Sequence, residues 1–77
     1  MDQEESQNIE KLLAAESTDA QQKAALSRLA ELLEESYILN LPPSKLILKA
    51  LQTYSKRSKA PAALGKRAGK LHAQYKI

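Results

Sequence analysis

The chain contains no cysteine, tryptophan, phenylalanine or valine, and no acidic residue follows Glu35. Without cysteine there are neither disulfide staples nor thiolate metal ligands, which argues against a small secreted disulfide scaffold and for a reducing cytosol. Without valine, and with Thr18 and Thr53 as its only threonines, the chain lacks the β-branched runs that strands favour. No stretch approaches the roughly 20 apolar residues that span a bilayer. The opening Met1-Asp2-Gln3-Glu4-Glu5 is acidic where a secretory signal carries positive charge. The expectation is a soluble, cytoplasmic protein.

The chain is rich in leucine and alanine, within 77 residues that leave room for one domain, 1–77. Four helical segments are expected, at about 4–15, 20–39, 43–57 and 61–75. The first carries Ile9, Leu12 and Leu13 on one stripe and acids at its start, where they suit the helix dipole. The second follows two overlapping capping-box spacings, Thr18 with Gln21 and Asp19 with Gln22. Its seam is Leu26, Leu29, Leu33 and Tyr37, with Glu31, Glu34 and Glu35 largely outside. Asn40-Leu41-Pro42-Pro43 ends it, because proline lacks an amide donor and pushes the residue before it out of the α region.

The third helix has Ile47, Leu51 and Tyr54 as its seam, and all its charges are positive. In the last, opened by Pro61, Leu64, Ala68, Leu71 and Tyr75 fall within about 60° of one another at 100° per residue. Gly65, Gly69 and Ala73 form a small-residue stripe beside them, expected to let this helix approach a neighbour closely. Helices joined by short links pack as antiparallel neighbours. The fold expected is therefore all-α, an antiparallel four-helix bundle of up-down topology, with the second and third helices side by side.

Little here suggests catalysis. His72 is the only histidine, no carboxylate lies near it in sequence, and no other His or Cys could join it on a metal. Gly65-Lys66-Arg67-Ala68-Gly69 lacks the ending of a phosphate loop, and its charges rule out a membrane dimer motif. The expectation is no enzyme, no cofactor, no metal and no small-molecule substrate.

The distribution of charge is more telling. Residues 1–36 set nine acids against Lys11, Lys23 and Arg28, a net −6, whereas residues 37–77 carry nine cations and no acid, a net +9. Lys66, Arg67 and Lys70 span an arc of about 100° that avoids the leucine stripe, so they can face solvent while the stripe is buried. One reading is a solvated face partly paired with Glu10, Glu31, Glu34 or Glu35. Exposed pairs contribute only about 0 to 1 kcal/mol each, a weak reason to segregate charge so fully. The other reading is presentation to an anionic partner. Nucleic acid is one such partner, with helices three and four around Ser58-Lys59-Ala60 imitating a helix-turn-helix. The would-be reading helix, however, begins Pro61-Ala62-Ala63-Leu64-Gly65 and offers few base-edge donors beyond Lys66 and Arg67.

A leucine-rich helix closing on Leu41-Pro42-Pro43-Ser44, then Lys45-Leu46-Ile47-Leu48-Lys49-Ala50-Leu51, a basic link, and a last helix ending Leu71-His72-Ala73-Gln74-Tyr75-Lys76-Ile77 resembles the bacteriocin immunity proteins of lactic acid bacteria, of the enterocin A immunity type. The resemblance covers roughly residues 20–77. It implies an antiparallel four-helix bundle without catalysis that guards its producer against a pore-forming peptide by engaging the complex of that peptide with a sugar-transport permease. In that family the C-terminal half largely decides which bacteriocin is countered. By position, this implies partner-binding roles for Lys56, Arg57, Lys59, Lys66, Arg67, Lys70 and Tyr75. An anionic membrane surface would favour the same residues.

Overall fold

The computed structural model describes residues 3–57 and 60–75. It contains four helices: α1 (Gln3–Leu13), α2 (Asp19–Ile38), α3 (Lys45–Ser55) and α4 (Ala62–Tyr75). No strand occurs among the described residues. The ends of these helices follow local chemistry. At the start of α2 the Thr18 hydroxyl accepts from the Gln21 amide at 3.1 Å while the Gln21 side chain accepts from the Thr18 amide at 2.9 Å. Of the two possible boxes, the chain forms the one built on Thr18, and Asp19 becomes the first helical residue, facing the positive end of the dipole.

The far end of α2 is closed before the prolines are reached. Asn40 adopts a left-handed conformation (φ 59°), the Asn40 amide bonds to the Tyr37 carbonyl and the Leu41 amide to the Ser36 carbonyl. This is a Schellman motif, for which asparagine is the natural substitute for glycine. Ser44 then caps α3 by accepting from the Ile47 amide at 3.4 Å, so α3 starts two residues after Pro43. Pro61 lies just before α4, and its carbonyl takes the Gly65 amide at 2.9 Å.

The core is one cluster: Leu12 from α1, Ala25, Leu26, Leu29 and Leu33 from α2, Ile47, Leu51 and Tyr54 from α3, and Ala68 from α4. Each buried leucine of this kind contributes about 1.5 to 3 kcal/mol. The Tyr54 hydroxyl reaches out of the core to donate to Gln22 Oε1 at 2.6 Å. Burial pushes the phenol above its ordinary range, and the Asp19 carboxylate adds to the effect. Four of the expected core positions, Tyr37, Leu64, Leu71 and Tyr75, differ. Tyr37, at the end of the α2 seam, is exposed and meets Tyr75 edge to face with centroids 6.5 Å apart. On α4 the fully buried residue is Ala68, while Leu64, Leu71 and Tyr75 are half-buried.

The pairing of helices also departs from expectation. Among the described residues α1 lies along α2 and α3 along α4, and these two pairs join through α1 with α3 and α2 with α4. The consecutive helices α2 and α3 are not a close pair. Their link, residues 39–44, can reach roughly 20 Å when extended, enough to cross the molecule rather than turn back beside α2. Side chains lock the two layers. Ser44 donates to Glu5 where α1 and α3 begin, and Arg57 Nη2 donates to the Leu13 carbonyl at 2.7 Å where they end. Within the first layer, Arg28 of α2 holds Glu4 of α1 through both Nε and Nη2. These bonds hold the Glu4 carboxyl below its usual range and the guanidinium above its own. The radius of gyration is 11.5 Å, the value expected of a compact chain of this length.

The glycines of α4 do not need to be glycine for packing. A Cβ at Gly65 would meet nothing within 4 Å, and one at Gly69 would sit an ordinary 3.8 Å from Ser55 Cβ. The small-residue stripe therefore faces α3 at Gly69 only. Gly65→Ala is expected to stabilise the protein by about 1 kcal/mol, through helix propensity alone. A urea titration checks this, and a lowered midpoint would reveal a contact at Gly65 that the geometry lacks.

Candidate functional site

With Ala68 fixed against the core, the helical repeat decides where the cations of α4 point. Lys66 and Lys70 project to solvent on the opposite side of the helix, and Arg67 leans towards α2, where its Nη1 donates to Ser27 Oγ at 3.0 Å. These three form one exposed cationic surface. At the junction before α4, Lys56 is the C-cap of α3, a position that favours positive charge. Arg57 remains exposed, yet its guanidinium spans to the last carbonyl of α1 and satisfies an acceptor that the helix leaves open. Together Lys56 and Arg57 line an open depression of mixed character, with Asp19, Gln22 and Tyr54 on one hand and Ala14, Ala15 and Ala60 on the other.

Of the remaining residues expected at the site, Tyr75 lies at the opposite end of α4, half-buried against Tyr37. Lys59 falls outside the described residues. The structure thus gathers Lys66, Arg67 and Lys70, sets Lys56 and Arg57 at the foot of the same helix, and separates Tyr75 from both groups.

Among the described residues no carboxylate forms an ion pair with Lys56, Arg57, Lys66, Arg67 or Lys70, although Asp19 lines the same depression as Lys56 and Arg57. The ion pairs of the described residues join Arg28 to Glu4 and to Glu31. Glu31, which could have crossed to α4, is instead held within α2 at 2.8 Å from Arg28 Nη1. Lys56, Lys66 and Lys70 are exposed.

Two apolar surfaces were not anticipated from the sequence. Tyr37, Ile38, Leu39 and Leu41 stand in solvent at one end of the molecule. Leu46, half-exposed, lines a groove between α1 and α3 with Ile9, Leu13 and Ala50. A signal for the first is visible in hindsight: Tyr37, Ile38 and Leu39 are consecutive, and neighbours 100° apart on a helix cannot all face one core. Among the described residues no three His, Cys, Asp or Glu side chains are grouped as metal ligands, and no helix is long and apolar enough to cross a membrane. Compared with known protein families, curated proteins and solved structures, the chain matches none.

Proposed function

We propose that this chain is a non-catalytic binding protein of the bacteriocin-immunity type. In this reading it acts in the cytosol at the inner membrane face, and the outward cations of α4 engage a complex of bacteriocin and membrane receptor. The observation that carries the reading is the separation of charge within the folded protein: Lys66, Arg67 and Lys70 share an exposed surface that no carboxylate neutralises among the described residues. Charge kept apart in this way adds nothing to the fold and is available to an anionic partner or an anionic lipid surface. An antiparallel, up-down path of the helices belongs to the same reading. It is supported by the Glu4–Arg28 contact, which sets the first turn of α1 beside the middle of α2.

Expression in a bacteriocin-sensitive strain tests the proposal. Survival against at least one peptide of a panel is expected, and the triple variant Lys66→Glu, Arg67→Glu, Lys70→Glu should lose it while keeping its helical circular dichroism. Unchanged killing across the panel would sink the immunity reading. The nucleic-acid alternative is read out by retention on duplex DNA, whose affinity would fall steeply with salt. Against that alternative, the exposed first turn of α4 presents Ala62 and Ala63, and Arg67 is engaged by Ser27.

A further inference from the structure

Four large apolar residues crowd one end of the molecule: Tyr37 is 75%, Ile38 71%, Leu39 64% and Leu41 56% exposed. Their exposure is built into the backbone. Three occupy successive positions at the end of α2, so their side chains fan around the helix, and the left-handed Asn40 turns Leu41 out after them. Tyr37 and Leu41 border a small apolar hollow with Pro43 and Tyr75, so the surface continues onto the end of α4. Clustered apolar surface of this kind marks an interaction site rather than scattered exposure.

The rim of this surface is acidic. Glu34 and Glu35 are exposed and stand one helical turn before Ile38 and Leu39, the spacing at which side chains adjoin. Glu35 and Leu39 share a depression with Glu5, to which Ser44 donates. The last turn of α2 carries no basic residue, and its terminal carbonyls add further negative potential. Glutamates near the C-terminal end of a helix oppose its dipole, and among the described residues neither Glu34 nor Glu35 has an ion-pair partner to offset this. Among the described residues the cations near this end are Lys45, the first residue of α3, and Arg28, which lines the depression with Glu35 but is paired with Glu4 and Glu31.

Apolar side chains ringed by acid select their occupant by sign. An anionic bilayer is repelled by the rim. A second copy of this chain related by a two-fold axis through this end would bring Glu34 and Glu35 against themselves. A segment that presents apolar side chains flanked by lysine or arginine satisfies both features. We infer that the end of the molecule formed by Tyr37, Ile38, Leu39 and Leu41 with Glu34 and Glu35 is a docking surface for a cationic amphipathic helix. Its apolar side chains come from the end of α2 and the turn after it, whereas Lys66, Arg67 and Lys70 belong to α4, and the inference does not rest on the role proposed for them.

The test uses the full chain and a labelled synthetic helix of about 18 residues, leucine on one face and lysine on the other, long enough to be helical when bound. Fluorescence anisotropy at low salt is expected to show saturable binding. The same peptide with glutamate for lysine should bind at least about tenfold more weakly. Ile38→Ser with Leu39→Ser should cost about tenfold or more, as loss of central apolar anchors does. Because both residues are exposed, the thermal transition should stay in place. Glu34→Gln with Glu35→Gln should weaken binding and flatten its salt dependence, whereas Glu10→Gln with Glu16→Gln, an equal change of charge elsewhere, should leave it intact. Absence of binding, or equal loss in the two glutamine pairs, would overturn the inference. So would a preference for phosphatidylglycerol vesicles, or a dimer in sedimentation that Ile38→Ser with Leu39→Ser abolishes.

Discussion

Leu29→Ala is expected to destabilise the protein by about 2 to 5 kcal/mol, the range for removing a fully enclosed leucine and leaving its cavity. Leu29 has no exposed surface and belongs to the cluster in which all four helices meet. A domain of this length holds roughly 4 to 12 kcal/mol in total, so the loss is a large share of what keeps it folded. Each kcal/mol shifts the midpoint of so small a domain by about 4 to 8 °C, so the thermal transition should drop by about 10 °C or more, or vanish. Leu39→Ala is the matched control. The same atoms are removed from a side chain already 64% exposed, and the change should stay within about 0.5 kcal/mol. Circular dichroism melts of the two variants decide the matter, since equal shifts would mean that the seam of α2 does not carry the core.

That seam was legible in the sequence because period and capping agreed. Leu26, Leu29 and Leu33 recur at helical spacing, Thr18 and Gln21 supply a start, and every one of these residues occupies the expected role. Where the reading failed, the missing information was three-dimensional. Tyr37 continues the same period, but whether it is buried depends on how far the neighbouring helices extend, and periodicity is silent on that. The placement of α3 failed for a related reason. A six-residue link containing two prolines reads as a tight return, yet the Schellman turn at Asn40 releases the chain in a direction that sequence does not specify.

The cationic surface was partly legible. Helical geometry assigns Lys66 and Lys70 to the side opposite Ala68, and the structure agrees. It could not assign Arg57, because the acceptor that engages it, the Leu13 carbonyl, lies 44 residues away along the chain. A basic residue counted as a free cation thus also fastens α3 to α1. Arg67 similarly contributes charge to the surface while its guanidinium is positioned by Ser27. The two surfaces proposed for partners differ in kind: the α4 face is charge without exposed large apolar side chains, and the α2 end is large apolar side chains with charge at its rim. The first suits steering and the second anchoring, since exposed charges act on approach and buried apolar side chains supply most of the affinity.

How α4 is held to the rest decides whether its cations have a fixed place, and Ala68→Asp addresses this directly. From the sequence alone, Leu71→Asp is expected to undock or unfold the helix, because it places a charge in the stripe of Leu64, Ala68, Leu71 and Tyr75. In the structure the fully enclosed member of that stripe is Ala68, which has no exposed surface, whereas Leu71 is half-buried. A carboxylate at residue 71 can turn towards water, but one at residue 68 has no such route. Buried without a partner, it costs several kcal/mol or must be protonated. Ala68→Asp is therefore expected to be the more damaging of the two, despite adding to a small residue rather than replacing a large one. Since α4 covers core residues of both α2 and α3, its release should expose Leu33 and Leu51 and unfold the whole chain rather than free one helix. Far-ultraviolet circular dichroism at 25 °C should then show loss of helix well beyond the 14 residues of α4. A variant that loses the signal of α4 alone would mean that α1, α2 and α3 stand without it, and the cationic surface would then ride on a detachable arm.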